Sequence, residues 1–245
     1  MGLIRAYLVA GGKYHDIDFA RVELLKLLGE FEDVRVRVGE DYSNLEAIAE
    51  ADFLVTYTCD VKPTSEQAVA LRAFVAGGKR WFALHGTNSV MEFVAGGVDC
   101  PRNAPEFMEL LGSQFLAHPP IGTFEVTVSN PEHPLVRGID AFEVEDELYL
   151  CEYHGELDSL LETRFTGKAL GFIEDDWPDD APRLVMYINR VGDGEVLYCT
   201  LGHCRSKYDM RPVMDEYPMT ERGAWQTPIF YELVRRGLRW AQPTD

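Results

Sequence analysis

Short apolar runs alternate with amphipathic stretches from the start of the chain. Leu3 to Ala10 (LIRAYLVA) is a nearly continuous apolar run that stops at Gly11-Gly12 and reads as a first strand. Asp18 is placed to cap a following helix, in which Phe19, Val22, Leu25 and Leu28 recur at helical spacing. Asp33 to Val38 (DVRVRV) alternates strictly, the signature of a half-exposed strand at a sheet edge. Ser43 opens a second helix through Ala49, and Asp52 to Thr58 (DFLVTYT) is a third strand. Thr64 to Ala76 is a third helix with Gly77-Gly78 as its stop, and Arg80 to His85 (RWFALH) is a fourth strand that ends abruptly at Gly86.

Strand and helix in short alternation predict an α/β fold, a mainly parallel sheet with helices on both faces. Past residue 120 the pattern changes. Thr123 to Ser129 (TFEVTVS) alternates and runs into a turn-rich NPEHP. Glu147 to Tyr153, Leu170 to Glu174, Leu184 to Arg190 and Glu195 to Leu201 follow as strands, the last two joined by a Gly192-Asp193-Gly194 hairpin. Thr227 to Ala241 closes the chain as a helix. No repeat, low-complexity tract or linker interrupts it, so residues 1–245 read as one domain whose second half carries added antiparallel strands.

The chain is 46% hydrophobic and 26% charged, which excludes collagen, coiled coil and disorder. A formal charge of −18 repels phosphate backbones and anionic lipid, so neither nucleic acid nor a membrane is expected as a partner. No run reaches the ~18 apolar residues of a membrane span, and Met1 to Ala10 lacks the order of a secretory signal. Five cysteines, at 59, 100, 151, 199 and 204, are odd in number and form no CxxC pair. They read as reduced thiols of a cytoplasmic protein.

In open parallel sheets, ligands bind beyond the carboxyl ends of the strands. The first strand delivers Gly11-Gly12-Lys13-Tyr14-His15-Asp16 to that rim and the third delivers Tyr57-Thr58-Cys59-Asp60. The fourth brings His85-Gly86-Thr87-Asn88 and the last brings Gly202-His203, so three of the six histidines gather there. Neutral imidazoles at such a rim can hold zinc, manganese or nickel, with Asp16, Asp60 or Glu147 completing the shell. Alternatively, one histidine serves as general acid or base near neutral pH. The plain structural alternative is that each bonds a backbone carbonyl or caps a turn. HExxH, CxxC and HxH are absent, so a metal site has to be assembled by the fold.

Gly11-Gly12 lacks the third glycine of a dinucleotide fingerprint and the Gly-Lys-Ser/Thr of a P-loop, so no nucleotide cofactor is expected. Gly12 can still offer its backbone to a sugar oxygen. Glu174 to Asp180 (EDDWPDD) sets Trp177 among carboxylates, as in a sugar site or in a solvated acidic loop. Cys59 is the one thiol at a strand end and reads as buried and inert rather than nucleophilic. Arg205 to Gln226, with basic Arg205, Lys207 and Arg211, has no periodicity and reads as a lid, a binding loop or a plain surface loop.

With these residues in view, the chain resembles the ThuA-like (trehalose utilisation) family of the class I glutamine amidotransferase-like superfamily. The resemblance is carried by Gly11 to Asp16, Phe82 to Gly86, His118-Pro119, His133-Pro134 with Gly138, Asp146 to Tyr149, Val196 to His203 and Arg236 to Ala241. It implies a flavodoxin-like three-layer sandwich. Superfamily amidotransferases and related proteases place a nucleophilic cysteine at the sharp turn after the fourth strand. In the Cys-His-Gly version of that turn this chain has Leu84-His85-Gly86, so glutaminase and cysteine-protease activity are not expected.

The resemblance implies instead carbohydrate catabolism, on trehalose or other glycosides through 3-keto sugars. A divalent metal or an imidazolium would polarise the carbonyl while a base removes the adjacent proton. On this reading His15, His85 and His203 form the catalytic centre and hold the metal, with Asp16 and Glu147 as ligands or base. Gly12, Tyr14, Asp60, Thr87, Asn88, His118, Trp177 and Arg205 are assigned to the sugar. Two departures suggest a substrate preference of its own: Gly192-Asp193-Gly194-Glu195 stands where relatives commonly read Gly-Lys-Gly-Arg, and no tryptophan follows Pro182. The competing classes are a non-catalytic sugar-binding or regulatory module and a partner subunit of a sugar oxidoreductase. Self-association as a homo-oligomer is left open.

Overall fold

Local side-chain chemistry sets the helix boundaries. The Thr64 hydroxyl accepts from Gln67 N while the Gln67 side chain accepts from Thr64 N, a reciprocal cap. The Asp16 carboxylate accepts from Phe19 N at 3.2 Å. The first helix therefore starts at Ile17, and Asp18, the expected cap, lies in its first turn and pairs with Arg21.

The computed structural model describes residues 2–243. Its first half runs β1 (Ile4–Gly12), α1 (Ile17–Leu28), β2 (Val34–Gly39), α2 (Leu45–Glu50), β3 (Phe53–Cys59), α3 (Ser65–Ala76), β4 (Arg80–Leu84), β5 (Glu92–Val94), β6 (Gly97–Asp99) and α4 (Pro105–Leu111). The second half runs β7 (Ser113–Ala117), β8 (Gly122–Val128), β9 (Phe142–Asp146), β10 (Leu150–Tyr153), β11 (Leu157–Arg164), β12 (Gly167–Lys168), β13 (Asp176–Trp177), β14 (Pro182–Val191), β15 (Gly194–Cys199) and α5 (Pro228–Ala241).

Among the described residues nine strands form one sheet in the order β2-β1-β3-β4-β15-β14-β11-β8-β9. The first five run parallel in the order of a flavodoxin-like doubly wound sheet. The other four continue it antiparallel. The α/β architecture with antiparallel strands in its second half is thus as the sequence pattern anticipated. Period-two alternation sorts the strand side chains into two layers. Ala6, Leu8, Ala10, Phe53, Val55 and Leu84 share a core with α1 and α5, whereas Tyr7, Val9, Leu54, Trp81 and Ala83 share one with α2, α3 and α4.

Two expectations need correction, on Leu170 to Glu174 and on Glu147. β1 ends at Gly11-Gly12 as its pattern anticipated, and there neighbouring backbone comes too close for any side chain. A Cβ on Gly11 would stand 1.9 Å from Glu40 O, and one on Gly12 would stand 1.9 Å from Cys59 O. Leu170 to Glu174 is not a strand: Phe172 turns inward and bridges to Val98, while Leu170 and Ile173 face solvent. Glu147 precedes β10 rather than opening it. The pattern had not singled out β5, β6, α4, β7, β9 or β11, which are short or carry mixed faces. No helix of the described residues is long and apolar enough to cross a membrane.

Gly12→Ala combines a backbone clash with φ +110 and is expected to cost about 3 kcal/mol or more. Gly138→Ala, at φ +73 with nothing within 4 Å of the added Cβ, should cost only about 1–2 kcal/mol. Urea unfolding of both variants checks the difference; equal shifts would contradict it.

Candidate active site

Tyr14 (φ 66), Asp60 (φ 58) and His85 (φ 47) are the non-glycine residues with left-handed backbone among the described residues, and they follow β1, β3 and β4. Each such residue costs about 1–3 kcal/mol, and strain of this kind collects at functional sites. These turns and the end of β15 bring together three of the histidines singled out by position, His15, His85 and His203. At β4 the turn residue is His85. Leu84, assigned to the nucleophile position from the Cys-His-Gly comparison, is the last extended residue of the strand (φ −124, ψ 143) and lies in the core beside α1 and α5. The turn therefore presents an imidazole, and neither residue carries a thiol.

The cluster is made of His15, His85, His203 and Glu147, all buried, with ligand atoms within 4.8 Å of one another. Nε2 of His15 and Nε2 of His85 are 2.9 Å apart. Glu147 Oε2 lies 3.6 Å from the first and 3.5 Å from the second. Glu147 Oε1 lies 3.1 Å from His203 Nδ1, outside hydrogen-bond alignment. The far nitrogen of each ring meets an oxygen: His85 Nδ1 with Thr200 O at 2.8 Å, His15 Nδ1 with Lys13 O at 3.4 Å, and His203 Nε2 with Glu221 Oε2 at 2.9 Å. A carbonyl only accepts, so in neutral His15 and His85 the proton sits on Nδ1. Two Nε2 lone pairs then face each other across 2.9 Å, an arrangement that calls for a cation or a shared proton between them.

Burial pushes His15 down to about 3 against the pull of Glu147, so its ring is neutral at physiological pH. Burial also disfavours charge on His203, but Glu147 and Glu221 outweigh it and lift the imidazole to about 9. Burial would raise the Glu147 carboxyl; His203 and His118 beside it hold it well below the usual carboxylate range. Arg205 completes the charge balance. Its guanidinium reaches Glu147 Oε1 at 3.2 Å and Glu221 Oε2 at 3.3 Å, while its Nε donates to Tyr14 O at 3.0 Å.

A pocket of about 210 Å³ opens onto the cluster. Its buried floor carries His15, Glu147, Tyr149 and Arg205, with His118 on the side wall. His118 Nε2 stands 3.6 Å from Glu147 Oε1, and its Nδ1 meets Pro119 O at 2.7 Å. The Tyr149 hydroxyl is 3.3 Å from His85 Nε2, and burial raises its pKa well above the usual value, so it remains a proton donor.

Of the residues assigned from sequence, His15, His85, His203, Glu147, His118, Tyr14 and Arg205 meet here. The others do not join them. Asp16 caps α1 and pairs with Arg222 at 2.9 Å. Asp60 stays on the rim, bound to Lys13 and to Met91 N. Thr87 is buried against Thr56 and Leu84 O, and Asn88 donates to Ser113 Oγ. Gly12 serves strand packing against Cys59. Trp177 lies on β13, its indole donating to Glu174 O and its ring facing Arg183. The acidic run around it is ion-paired with Arg102, Lys168, Arg183 and Arg164. All five cysteines are free and buried, and burial pushes the Cys59 thiol well above its ordinary pKa.

Sequence reasoning gave no role to Asp146, Glu221 or the aromatic wall. Asp146 lies within a motif stretch yet gave no signal of its own, and Glu221 is one acid in an aperiodic segment. Asp146 Oδ1 accepts from Glu147 N and His203 N, and its Oδ2 accepts from Gly202 N and Ala224 N.

A profile of the family described as ThuA, trehalose utilisation, matches residues 5–216. No curated protein matches the chain. A ThuA-like protein from Parabacteroides merdae superposes with a TM-score of 0.67 at 16% identity, covering 99% of this chain and 92% of its own. One from Bacteroides uniformis gives 0.66 at 18% identity, covering 97% and 91%. A protein described as cytoplasmic from Salmonella typhimurium LT2 gives 0.58 at 13%, covering 98% and 100%. At these identities the likeness is one of fold.

Replacing Asp146 by alanine leaves buried N–H groups from three segments without an acceptor. The expected loss is about 4 kcal/mol of unfolding free energy, with Asp146→Asn losing less. A calorimetric or urea measurement showing under about 1 kcal/mol for Asp146→Ala would remove this carboxylate as the rim's anchor.

Proposed function

The chain belongs to the ThuA (trehalose utilisation) family, and on that premise we propose that it is a cytoplasmic enzyme of carbohydrate catabolism acting on a sugar or keto-sugar. The observation that carries this reading is the 2.9 Å approach of two imidazole Nε2 atoms whose other nitrogens are committed to backbone carbonyls. The donor set fits a divalent metal. His15 Nε2, His85 Nε2 and His203 Nδ1 would hold it with Glu147, and the oxygens on the far nitrogens are the outer partners that metal-ligating histidines ordinarily have. Such an ion, when bound, supplies Lewis-acid polarisation of a carbonyl oxygen.

The chain's own residues account for the rest. Arg205 holds Glu147 in place at 3.2 Å, while His203 and His118 keep it charged. Tyr149 offers an O–H to an oxygen near His85. His118 donates from Nδ1 to Pro119 O, which leaves Nε2 as the basic atom, and it is the one imidazole of the pocket with appreciable exposure. It is therefore the group suited to take a proton from carbon next to a carbonyl. At about 210 Å³ the pocket falls below the ~300–1,000 Å³ of typical ligand sites, which suits a single sugar ring.

The protein purified without tag or chelator is expected to carry near-stoichiometric zinc, manganese or nickel by elemental analysis. The His85→Ala, His203→Ala double variant should lose it together with keto-sugar turnover. Glu221→Gln, which removes the charge of the outer partner that His203 shares with Arg205 and Tyr217, should weaken metal binding by about 10–100-fold. Metal-free wild type would leave imidazole acid–base chemistry as the mechanism. Full turnover in the double variant would sink the centre altogether.

A further inference from the structure

The wall of this pocket changes character between floor and mouth. The side chains that can hydrogen-bond a sugar hydroxyl, His15, Glu147, Tyr149 and Arg205, are buried at the bottom. The rest of the lining is apolar apart from Tyr14 and His118: Met91, Phe93, Val98, Phe172 and Met210, with Phe115 buried behind them. Phe93 both lines the pocket and is 43% exposed, and its ring meets Tyr14 edge-on at 5.4 Å. Beyond it the apolar surface continues outward. Val94 at the tip of the β5–β6 hairpin and Leu170 and Ile173 in the facing loop are 42%, 71% and 49% exposed. The two segments are tied together by the Val98–Phe172 bridge, and Ile173 lies within 3.8 Å of the Cβ position at Gly96.

A second sugar ring needs hydrogen-bond partners for its hydroxyls, because a polar group desolvated without one is costly. The outer wall has almost none. An aromatic or aliphatic group, by contrast, gains from covering apolar surface that is otherwise exposed. We propose that the mouth of the pocket is a subsite for an apolar substituent. The ligand would then be a sugar or keto-sugar bearing an aryl or alkyl group, in preference to a disaccharide. This rests on the reading of the floor as a sugar site. Continuity between pocket and apolar mouth through Phe93 favours a substituent of the same ligand over a second copy of the chain.

Equilibrium binding of phenyl glucoside, methyl glucoside and their keto forms tests this on the intact protein. The phenyl compound is expected to bind at least about tenfold more tightly than the methyl compound of the same anomer. In Phe93→Ser with Ile173→Ser that ratio should fall to about one. Equal affinities in wild type, with both lost in His85→Ala, would overturn the subsite and leave the sugar reading standing. A ratio that survives the double substitution would overturn the assignment to these residues. A ratio of one, together with a sedimentation coefficient that drops in the double variant, would show the mouth to be a contact between copies and overturn the proposal. Failure of every glucoside and keto-glucoside to bind would overturn both readings.

Discussion

The carboxylate of Asp146, 1% exposed, accepts backbone N–H groups from Glu147, Gly202, His203 and Ala224. These donors come from the end of β9, the turn after β15 and the 3-10 turn before α5. Chain leaving a sheet at a tight turn loses its ladder partners, and a buried N–H cannot be left unpaired. One ionised acceptor resolves this for three segments at once, through bonds worth more than those between neutral groups. The neighbouring acid has a different task. With the backbone at Asp146 pinned, the Glu147 side chain projects among the histidines, and His203 is held opposite it by the same anchor. Two adjacent carboxylates thus divide the work, one fixing main chain and one supplying charge to the cluster.

Charge inside the site is tolerated because every charged group has more than one partner. Glu147 faces His15, His85, His203, His118 and Arg205, and Glu221 faces His203, Arg205 and Tyr217. A buried ion pair with a single contact gains little net stability, whereas a multiply bonded network can offset its desolvation. Arg205 and Glu221 are also joined through their backbones, each N–H donating to the other's carbonyl at 3.0 and 2.8 Å. The loop between them is therefore closed at its base by two members of the site. The loop's last anchor, Glu221, is also the partner of His203 Nε2.

What the sequence made legible was topology, and what it concealed was orientation. Histidines at 15, 85 and 203 could be found because strand ends in a parallel sheet converge on one rim, and period and punctuation locate strand ends. Glu147 could be suspected from its place beside an apolar run, though its strand begins only at Leu150. Asp16, Thr87 and Asn88 lie at the same rim and were indistinguishable from working residues by position. Their side chains are consumed by a helix cap, a hydroxyl pair and a serine, choices made by rotamer and packing rather than by residue order. Trp177 failed for another reason: an indole among carboxylates resembles a sugar platform, yet here each nearby acid is paired with a cation, Asp175 and Asp176 sharing Lys168. Glu221 had no signal, since nothing in an aperiodic segment says which acid folds back by eighteen positions to reach His203.

The left-handed turn at His85 explains why the cluster can be so close-set. A β-strand that ended in ordinary extended geometry would carry residue 85 onward along the strand direction, away from His15. The positive φ instead folds the chain sharply, and the strain persists because the surroundings overdetermine it. Tyr198 OH donates to His85 O and itself accepts from Asn88 N, and His85 Nδ1 donates to Thr200 O. Backbone and ring are thus each held by a hydrogen bond, which keeps the imidazole facing His15. An arrangement held in this way by its own scaffold is eased by a cation or a shared proton between the two rings. That requirement, written into the geometry of one turn, is the physical argument on which the proposed metal centre rests.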